Sequence, residues 1–386
     1  MIFWLIFIVI CYSVLMLFFI IGFDKVRVFT SQEIEPKTTF SIIVPFRNEA
    51  DNLPLLLQSI ATLNYPKALF EIIFVNDASS DVSVEIIESF SKRNRAVFNK
   101  GLDCARPDSV VLANQRTSNS PKKDAITTAI QQAKNNWIIT TDADCILPEN
   151  WLQTFNNFIQ KKQPKMLVAP VTYQANNSFF NRFQLLDFLS LQGATIGGFG
   201  INKPFLCNGA NLAYLKADFL QLNGFEGNNN IASGDDIFLF EKFVKAYPKQ
   251  VQFVKSNQVI VKTFPVKTMN NLIHQRVRWA SKSGNYQLGF GKLVGSIVFL
   301  TNLSLVVLCF STVFQLVSYQ QLVVFFGVKL LLDFSLFLKT AAFFGQKKEV
   351  YQSFLLSSVF YPFFSVVVVF MALFSSYQWK GRSFRK

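Results

Sequence analysis

Charge is scarce in this sequence: 16% of its 386 residues are Asp, Glu, Lys or Arg, while 51% are hydrophobic. Soluble domains carry about 25% charged residues, so the shortfall argues against an ordinary soluble chain and points to a membrane protein. Histidine is scarcer still, with His274 alone. That excludes a histidine-rich metal site and any histidine-based triad away from that position. Cys11, Cys104, Cys145, Cys207 and Cys309 form no CxxC pair. Zinc spacing and a disulfide framework are therefore lacking, and reduced thiols are expected. No basic stripe beside aromatic platforms is present, although the net charge is +14. The cations are spread along the chain, which argues against nucleic-acid binding. Lys25, Arg27, Lys347, Lys348 and the tail Lys380-Gly381-Arg382 instead flank apolar runs, where they suit anionic lipid headgroups. Internal repeats and low-complexity linkers are also missing.

What the sequence has in abundance is long apolar runs. Residues 1–22 carry no charge, and that length spans a hydrocarbon core of about 30 Å. A signal peptide would open on basic residues and end at a small-residue cleavage site. Neither feature is there, so an uncleaved transmembrane anchor is expected over 1–23. Lys25 and Arg27 after it favour a cytoplasmic exit. Runs 293–318, 321–340 and 352–375 predict about three transmembrane helices within 291–376, ahead of a basic tail, 377–386. The middle run holds Asp333 and Lys339, a turn and a half apart, expected either as an ion pair or as functional groups. Three crossings from a cytoplasmic domain put the tail outside, whereas Lys380, Arg382, Arg385 and Lys386 favour an inside tail.

Between the runs, residues 38–290 read as a water-soluble α/β domain. Phe40–Pro45, Glu71–Asn76, Val110–Ala113 and Trp137–Thr141 predict buried strands. Glu49–Ser59, Val82–Lys92 and Lys123–Ala133 have helical periodicity and alternate with them. That alternation predicts a mostly parallel sheet, whose ligands gather at the carboxyl ends of the strands.

The polar residues at those ends carry the chemistry. Pro45 and Glu49 follow the first strand. Asp77 follows the second and is placed to bind a nucleoside, while Asp81 reads as a helix cap. Asp142 and Asp144 leave the fourth strand one residue apart, so they point to one side. Paired carboxylates of this kind suit magnesium, which is often held by one or two carboxylates plus substrate phosphates. A plain polar turn would read the same way. Asp235 and Asp236 follow a Ser-Gly turn and open an apolar helix. A carboxylate there can be a general base or simply a helix start. In Gln275-Arg-Val-Arg278-Trp279, Arg278 can fork to a pyrophosphate and Trp279 can stack on a sugar. A basic helix flanking a membrane accounts for that pentapeptide equally well. Ser178–Gly200 reads either as an interfacial helix or as a core helix.

The order of these motifs is more specific than any one of them. Together they resemble family 2 glycosyltransferases of the GT-A fold, in the membrane-integrated branch that includes polysaccharide synthases and ceramide glucosyltransferases. The resemblance covers residues 38–290 and the flanking helices. It implies a Rossmann-like GT-A domain with Asp77, Asp142, Pro45, Glu49, Lys122 and Arg278 on the donor. Asp144, with Asp142, would hold a divalent metal, Mg2+ or Mn2+. Asp236 would be the general base, seconded by Asp235. Gln275 and Trp279 would frame the acceptor beside Asn208 and Gly209. Pro121 stands where the family has glycine, which leaves the nucleotide-contacting lysine open between Lys122 and Lys123. The third motif is Gly-Asp-Asp rather than Thr-Glu-Asp.

The resemblance implies an inverting, metal-dependent transfer from a nucleotide sugar, a UDP-sugar by analogy, to a membrane-proximal lipid-linked or glycan acceptor. The expected location is the inner cell membrane, multi-pass, with the catalytic domain cytoplasmic. Membrane lipids are expected partners and nucleic acid is not. A processive synthase extruding its polymer is the alternative. A catalytically inactive membrane scaffold with the same fold is the reading from a different class.

Overall fold

The computed structural model describes residues 2–30, 34–96, 108–174, 178–229, 231, 233–374, 377–379 and 382–384. Cys104, Ala232, Lys380, Gly381, Arg385 and Lys386 lie outside the described residues. In chain order the strands are β1 (Phe40–Phe46), β2 (Phe70–Asn76), β3 (Asp108–Ala113), β4 (Trp137–Thr140), β5 (Met166–Val168), β6 (Val171–Tyr173), β7 (Leu212–Leu215), β8 (Val251–Phe253), β9 (Val261–Thr263), β10 (Tyr377–Trp379) and β11 (Arg382–Phe384). The helices are α1 (Ile2–Lys25), α2 (Leu53–Ala61), α3 (Ser83–Ala96), α4 (Pro121–Gln132), α5 (Trp151–Lys162), α6 (Phe179–Gly200), α7 (Lys216–Gln221), α8 (Asp235–Ala246), α9 (Met269–Ser281), α10 (Gly289–Val313), α11 (Tyr319–Phe344) and α12 (Lys347–Phe374). They form two units: Val28–Thr172 with Cys207–Phe264, and Met1–Arg27 with Tyr173–Leu206 and Pro265–Lys386. The expected 38–290 domain is thus divided, because 173–206 and 265–290 group with the apolar helices.

The first unit is built on a seven-stranded sheet of order β3-β2-β1-β4-β7-β5-β8. Phe40, Ile42, Ile43 and Val44 of β1 and Ile72 to Val75 of β2 are all at most 1% exposed. Such doubly covered strands read as continuous apolar runs. β1 pairs in parallel with β2 and β4, and β2 with β3. Their carboxyl ends therefore open on one edge of the sheet. β7 runs antiparallel to β4 and β5, which gives the mostly parallel GT-A arrangement expected from the sequence. The short strands β5, β7 and β8 carry no long apolar run and were not anticipated.

In the second unit, α1, α10, α11 and α12 are each long and apolar enough to cross a membrane. Large apolar side chains such as Phe3, Phe7, Leu17, Phe310 and Leu331 remain exposed on them, as suits lipid contact. α6 is a packed helix, with Leu185, Phe188, Leu189 and Ile196 at most 3% exposed. It meets α1 backbone to backbone. A Cβ on Gly200 would sit 1.8 Å from the Gly22 carbonyl oxygen, and one on Gly22 would sit 2.2 Å from that of Gly197. Only small residues let helices approach so closely.

The charges in this unit correct one expectation. Asp333 pairs with Lys329 at 2.5 Å rather than with Lys339, which pairs with Asp24 at 2.7 Å. Four residues return a side chain to the same helix face, whereas six carry it well around. Tyr12 also donates to Asp333.

The last apolar helix follows an unexpected course. α11 and α12 meet at their joined ends, where Phe334 and Phe337 contact Phe354. Further on, Asn302 donates to Ser365 at 3.3 Å and the Phe299 and Phe370 rings lie 6.3 Å apart. α12 therefore runs back along α10 toward the start of α10, where a third parallel crossing would run away from it. Val368 and Ala372 then pack on Val277 of α9. Pro362 inside α12 removes one backbone donor from that helix.

Candidate active site

The sheet unit brings Asp77, Lys122, Asp142, Asp235, Asp236, Asn208 and Gly209 into one connected set. β1 and β2 end side by side: the Asp77 amide donates to the Phe46 carbonyl at 2.9 Å. Pro45 lies within β1, paired with Val75. Glu49, 9% exposed, opens the following loop, its amide donating to Ser83 Oγ and its carboxylate accepting from Asn52. Asp81 accepts from the Ser83 and Ala50 amides, as expected of a residue capping α3. Hydrogen bonds from Ser83 and the backbone, working against burial, lower its carboxyl below the usual value. Ala78 is held at φ 56°, a strained conformation for a residue with a Cβ. The turn is secured by Asn76 Oδ1, which accepts from Ser79, and by Arg47, which donates to the Asp77 carbonyl.

Asp77 Oδ1 accepts from Asn114 at 2.9 Å and from Arg116 at 2.8 Å through Nε and 2.7 Å through the guanidinium end. Neither partner was anticipated. Yet both follow β3 as Asp77 follows β2, so the strand-end rule applied to Val110–Ala113 would have found them. Asn114 also donates to the Pro121 carbonyl at 2.9 Å, which ties this corner to the start of α4.

Lys122, in the first turn of α4, reaches the acidic centre. Its Nζ lies 2.6 Å from Asp142 and 3.2 Å from Asp235. Burial works against its charge, but Asp142 and then Asp235 outweigh it and hold the ammonium above its ordinary pKa. The two lysines between which the sequence left the choice open point different ways. Lys123, 1% exposed, points elsewhere and donates to the Asn228 and Ile231 carbonyls. Burial alternates along 142–145: Asp142 and Asp144 are half-buried while Ala143 and Cys145 are buried. The strand ends at Thr140, and 142–145 form a turn in which the Cys145 amide donates to the Asp142 carbonyl at 3.2 Å, where the sequence predicted an extended segment. Burial, with Asp144 and Asp142 nearby, pushes the Cys145 thiol well up.

Asp235 and Asp236 open α8 after Gly234, whose φ of 85° suits glycine. Carboxylates are stabilised at a helix N-terminus. Asp236 Oδ2 accepts from the Gly209 amide at 3.2 Å. A Cβ on Gly209 would meet Asp236 Cβ at 3.2 Å and Asp235 Oδ2 at 3.3 Å, so only glycine leaves this approach unobstructed. Thr140 at the end of β4 donates to the Gly209 carbonyl at 2.8 Å and holds the segment in place. Asn208 caps the short turn after it by accepting from the Ala210 amide.

Gln275, Arg278 and Trp279 lie on α9, in the other unit. The residue that organises them there is Arg276, which motif reasoning passed over. It is 5% exposed, pairs with Asp187 at 2.5 Å and donates to Gln275. Its guanidinium lies 4.2 Å from the Trp279 ring centre, and Phe188 flanks that ring at 6.2 Å. Burial opposes its charge, but Asp187 beside it keeps the guanidinium above its ordinary pKa. The signal was an arginine facing the same helix as Asp187, which only tertiary structure reveals.

A hard divalent cation fits the donor set. Among the described residues no group of three or more His, Cys, Asp or Glu converges, so the protein would offer one or two carboxylates, Asp142 and Asp144. Magnesium-type sites are commonly completed by water and substrate phosphates. The position of Lys122 between two carboxylates marks the same spot as favourable for positive charge.

Comparison with known proteins agrees with this architecture. Residues 137–375, more than half of the chain, match the profile of glycosyl transferase family group 2, and residues 41–219 match glycosyl transferase family 2. The chain belongs to this glycosyltransferase family. It is similar to a poly-beta-1,6-N-acetyl-D-glucosamine synthase of Staphylococcus epidermidis, at 24% identity over 62% of this chain and 53% of the synthase. It is also similar to an undecaprenyl-phosphate 4-deoxy-4-formamido-L-arabinose transferase of Yersinia pestis, at 32% identity over 28% of this chain and 30% of that protein. The chain thus spans about half the length of the synthase, or less of such relatives. Among solved structures, the mannosyltransferase PcManGT from Pyrobaculum calidifontis, in complex with GDP-Man and Mn2+, shares the fold. It has a TM-score of 0.56 at 14% identity, covering 96% of this chain and 99% of that one.

Proposed function

We propose that this chain is a membrane-bound inverting glycosyltransferase that moves a sugar from a nucleotide sugar to a lipid-linked or glycan acceptor. The observation that carries the reading is the Lys122–Asp142–Asp235 cluster, adjoining Asp236, at the carboxyl ends of parallel strands. Asp77, with Asn114 and Arg116 beside it, holds the nucleoside. Asp142 and Asp144 hold a divalent cation, which when bound neutralises charge on the diphosphate. Lys122 adds a fixed positive charge where that diphosphate leaves. Asp236, steadied by the Gly209 amide, accepts the proton of the attacking acceptor hydroxyl, and Asp235 is kept in place by Lys122. Attack from the face opposite the diphosphate inverts the anomeric centre, with no covalent enzyme intermediate. Arg278 and Trp279 are assigned to the diphosphate and the acceptor, with Gln275 beside Trp279. A UDP-sugar is the favoured donor, because one relative is named for N-acetylglucosamine polymer synthesis. The donor test is release of nucleoside diphosphate by purified protein with and without Mg2+ or Mn2+.

That relative also favours a second reading, a processive synthase. The Yersinia relative, named for transfer to undecaprenyl phosphate, favours single addition to a lipid. Membranes given labelled donor separate the two, as long polymer or as one organic-soluble product.

The location that fits is the inner membrane, with the sheet unit cytoplasmic. α12 is assigned an incomplete crossing, since it returns along α10 and packs on α9. With β10 next to α9, we assign the C-terminal segment to the side of α9, an assignment under which helix count and tail charge agree.

A further inference from the structure

Asp187 on α6 and Arg276 on α9 belong to the same helical unit, and each side chain is only 6% exposed. Arg276 Nε donates to the Asp187 carboxylate at 2.5 Å. A buried ion pair adds little net stability, because replacing both partners by apolar residues of similar volume is often neutral. What this pair supplies is direction. The Arg276 guanidinium meets three groups: Asp187 through Nε, Gln275 through Nη1, and the Trp279 ring, whose centre lies 4.2 Å away. The planar fork of arginine holds its donors at fixed angles, so anchoring one edge on Asp187 sets where the rest acts. Gln275 and Trp279 stand four residues apart and share a helix face. Phe188, next to Asp187 on α6, flanks the Trp279 ring at 6.2 Å.

α6 holds this segment at a second point. Gln184, one turn before Asp187 and fully buried, donates to the Val266 carbonyl at 3.0 Å and accepts from the Val266 amide at 3.0 Å. A side-chain amide carries both the donor and the acceptor that this pair of bonds needs. Val266 leads into α9, which begins at Met269. On another flank of α9, Val277 packs on Val368 and Ala372 of α12. The helix is thus fixed where the chain enters it and again at Arg276, beside Gln275 and Trp279.

We propose that Asp187 is a positioning residue for the transfer: through Arg276 it sets the placement of Gln275 and Trp279 toward the acceptor. This role rests on the reading of Gln275 and Trp279 as acceptor residues. Two variants of the full chain separate placement from stability. Asp187→Leu with Arg276→Met removes both charges, and its thermal unfolding in detergent should stay near that of wild type. Arg276→Lys keeps a cation opposite Asp187 but loses the fork to Gln275 and the planar group beside Trp279. A misplacement of about 1 Å can cost on the order of 100-fold in rate. Turnover at saturating donor, read as nucleoside diphosphate release with native membrane lipids, should therefore fall roughly 10–100-fold in both. Asp187→Glu, which keeps the carboxylate, should recover most of the turnover that Asp187→Asn loses. Trp279 emission, taken as the difference from the matching Trp279→Phe protein, should shift to the red in the double variant and in Arg276→Lys. Wild-type turnover or unchanged Trp279 emission in either variant, once folded, overturns the proposal. If wild type itself releases no nucleoside diphosphate, the sugar-transfer reading fails, and Trp279 emission alone decides the positioning.

Discussion

Replacing Lys122 by Met would leave two carboxylates facing each other across the space its ammonium fills. Breaking a buried pair from one side costs about 3–5 kcal/mol when both charges are enclosed, against about 0–1 kcal/mol for exposed pairs. The Lys122 side chain is 18% exposed and that of Asp235 12%, but that of Asp142 is 37% exposed, so water screens the second arm. The expected loss is therefore about 2–4 kcal/mol. Chemical denaturation in detergent, followed by tryptophan fluorescence, measures it. The pH dependence has a definite sign. Lys122 is raised above its ordinary 10.5, so its contribution is fully present below that value and is lost only as pH climbs through the folded-state value. The gap between wild type and variant should stay constant from about pH 6 to 10. Calorimetry should also find nucleoside diphosphate affinity at least tenfold weaker. A Lys122→Met protein within about 0.5 kcal/mol of wild type, or a gap that closes near neutral pH, would refute the assignment of this ammonium as the bridge.

Other outcomes follow from the same geometry. Asp236→Asn should abolish transfer while nucleotide binding, read by calorimetry, survives; an active variant removes Asp236 as the base. Gly200→Ala should cost about 3 kcal/mol, at the top of the usual overpacking range, because its Cβ would lie 1.8 Å from the Gly22 carbonyl oxygen; thermal unfolding in detergent checks it. Asp333→Asn should destabilise far more than Lys339→Met, since Lys329 would lose a buried partner whereas the Lys339–Asp24 side chains are 35% and 59% exposed.

Much of this arrangement was written in local sequence. β1, β2 and β4 bury both faces, so their apolar runs announced them, and Asp77, Asp142 and Asp144 follow those runs directly. The four membrane-length helices were equally plain from length and composition. Other features depend on distant parts of the chain. β5, β7 and β8 are three or four residues long and gain their stability from neighbours far away in sequence. Asp333 was read with Lys339, a turn and a half away, although Lys329, one turn before it, returns to the same helix face. Arg276 looked like a spacer inside a motif until Asp187 appeared beside it. Gly193 and Gly197 of α6 stand four residues apart, but what they approach is evident only against Phe19 of α1 and Leu336 and Thr340 of α11. The division of 38–290 between two units was hidden because α6 is as apolar as a core helix.

Sugar transfer from a nucleotide donor stands or falls on nucleoside diphosphate release from purified protein. With a panel of UDP- and GDP-sugars, release with at least one donor is expected. That release should be stimulated by Mg2+ or Mn2+, abolished by chelator and absent in Asp236→Asn. No release with any donor, from protein that still binds nucleoside diphosphate and in the presence of native membrane lipids, would contradict it.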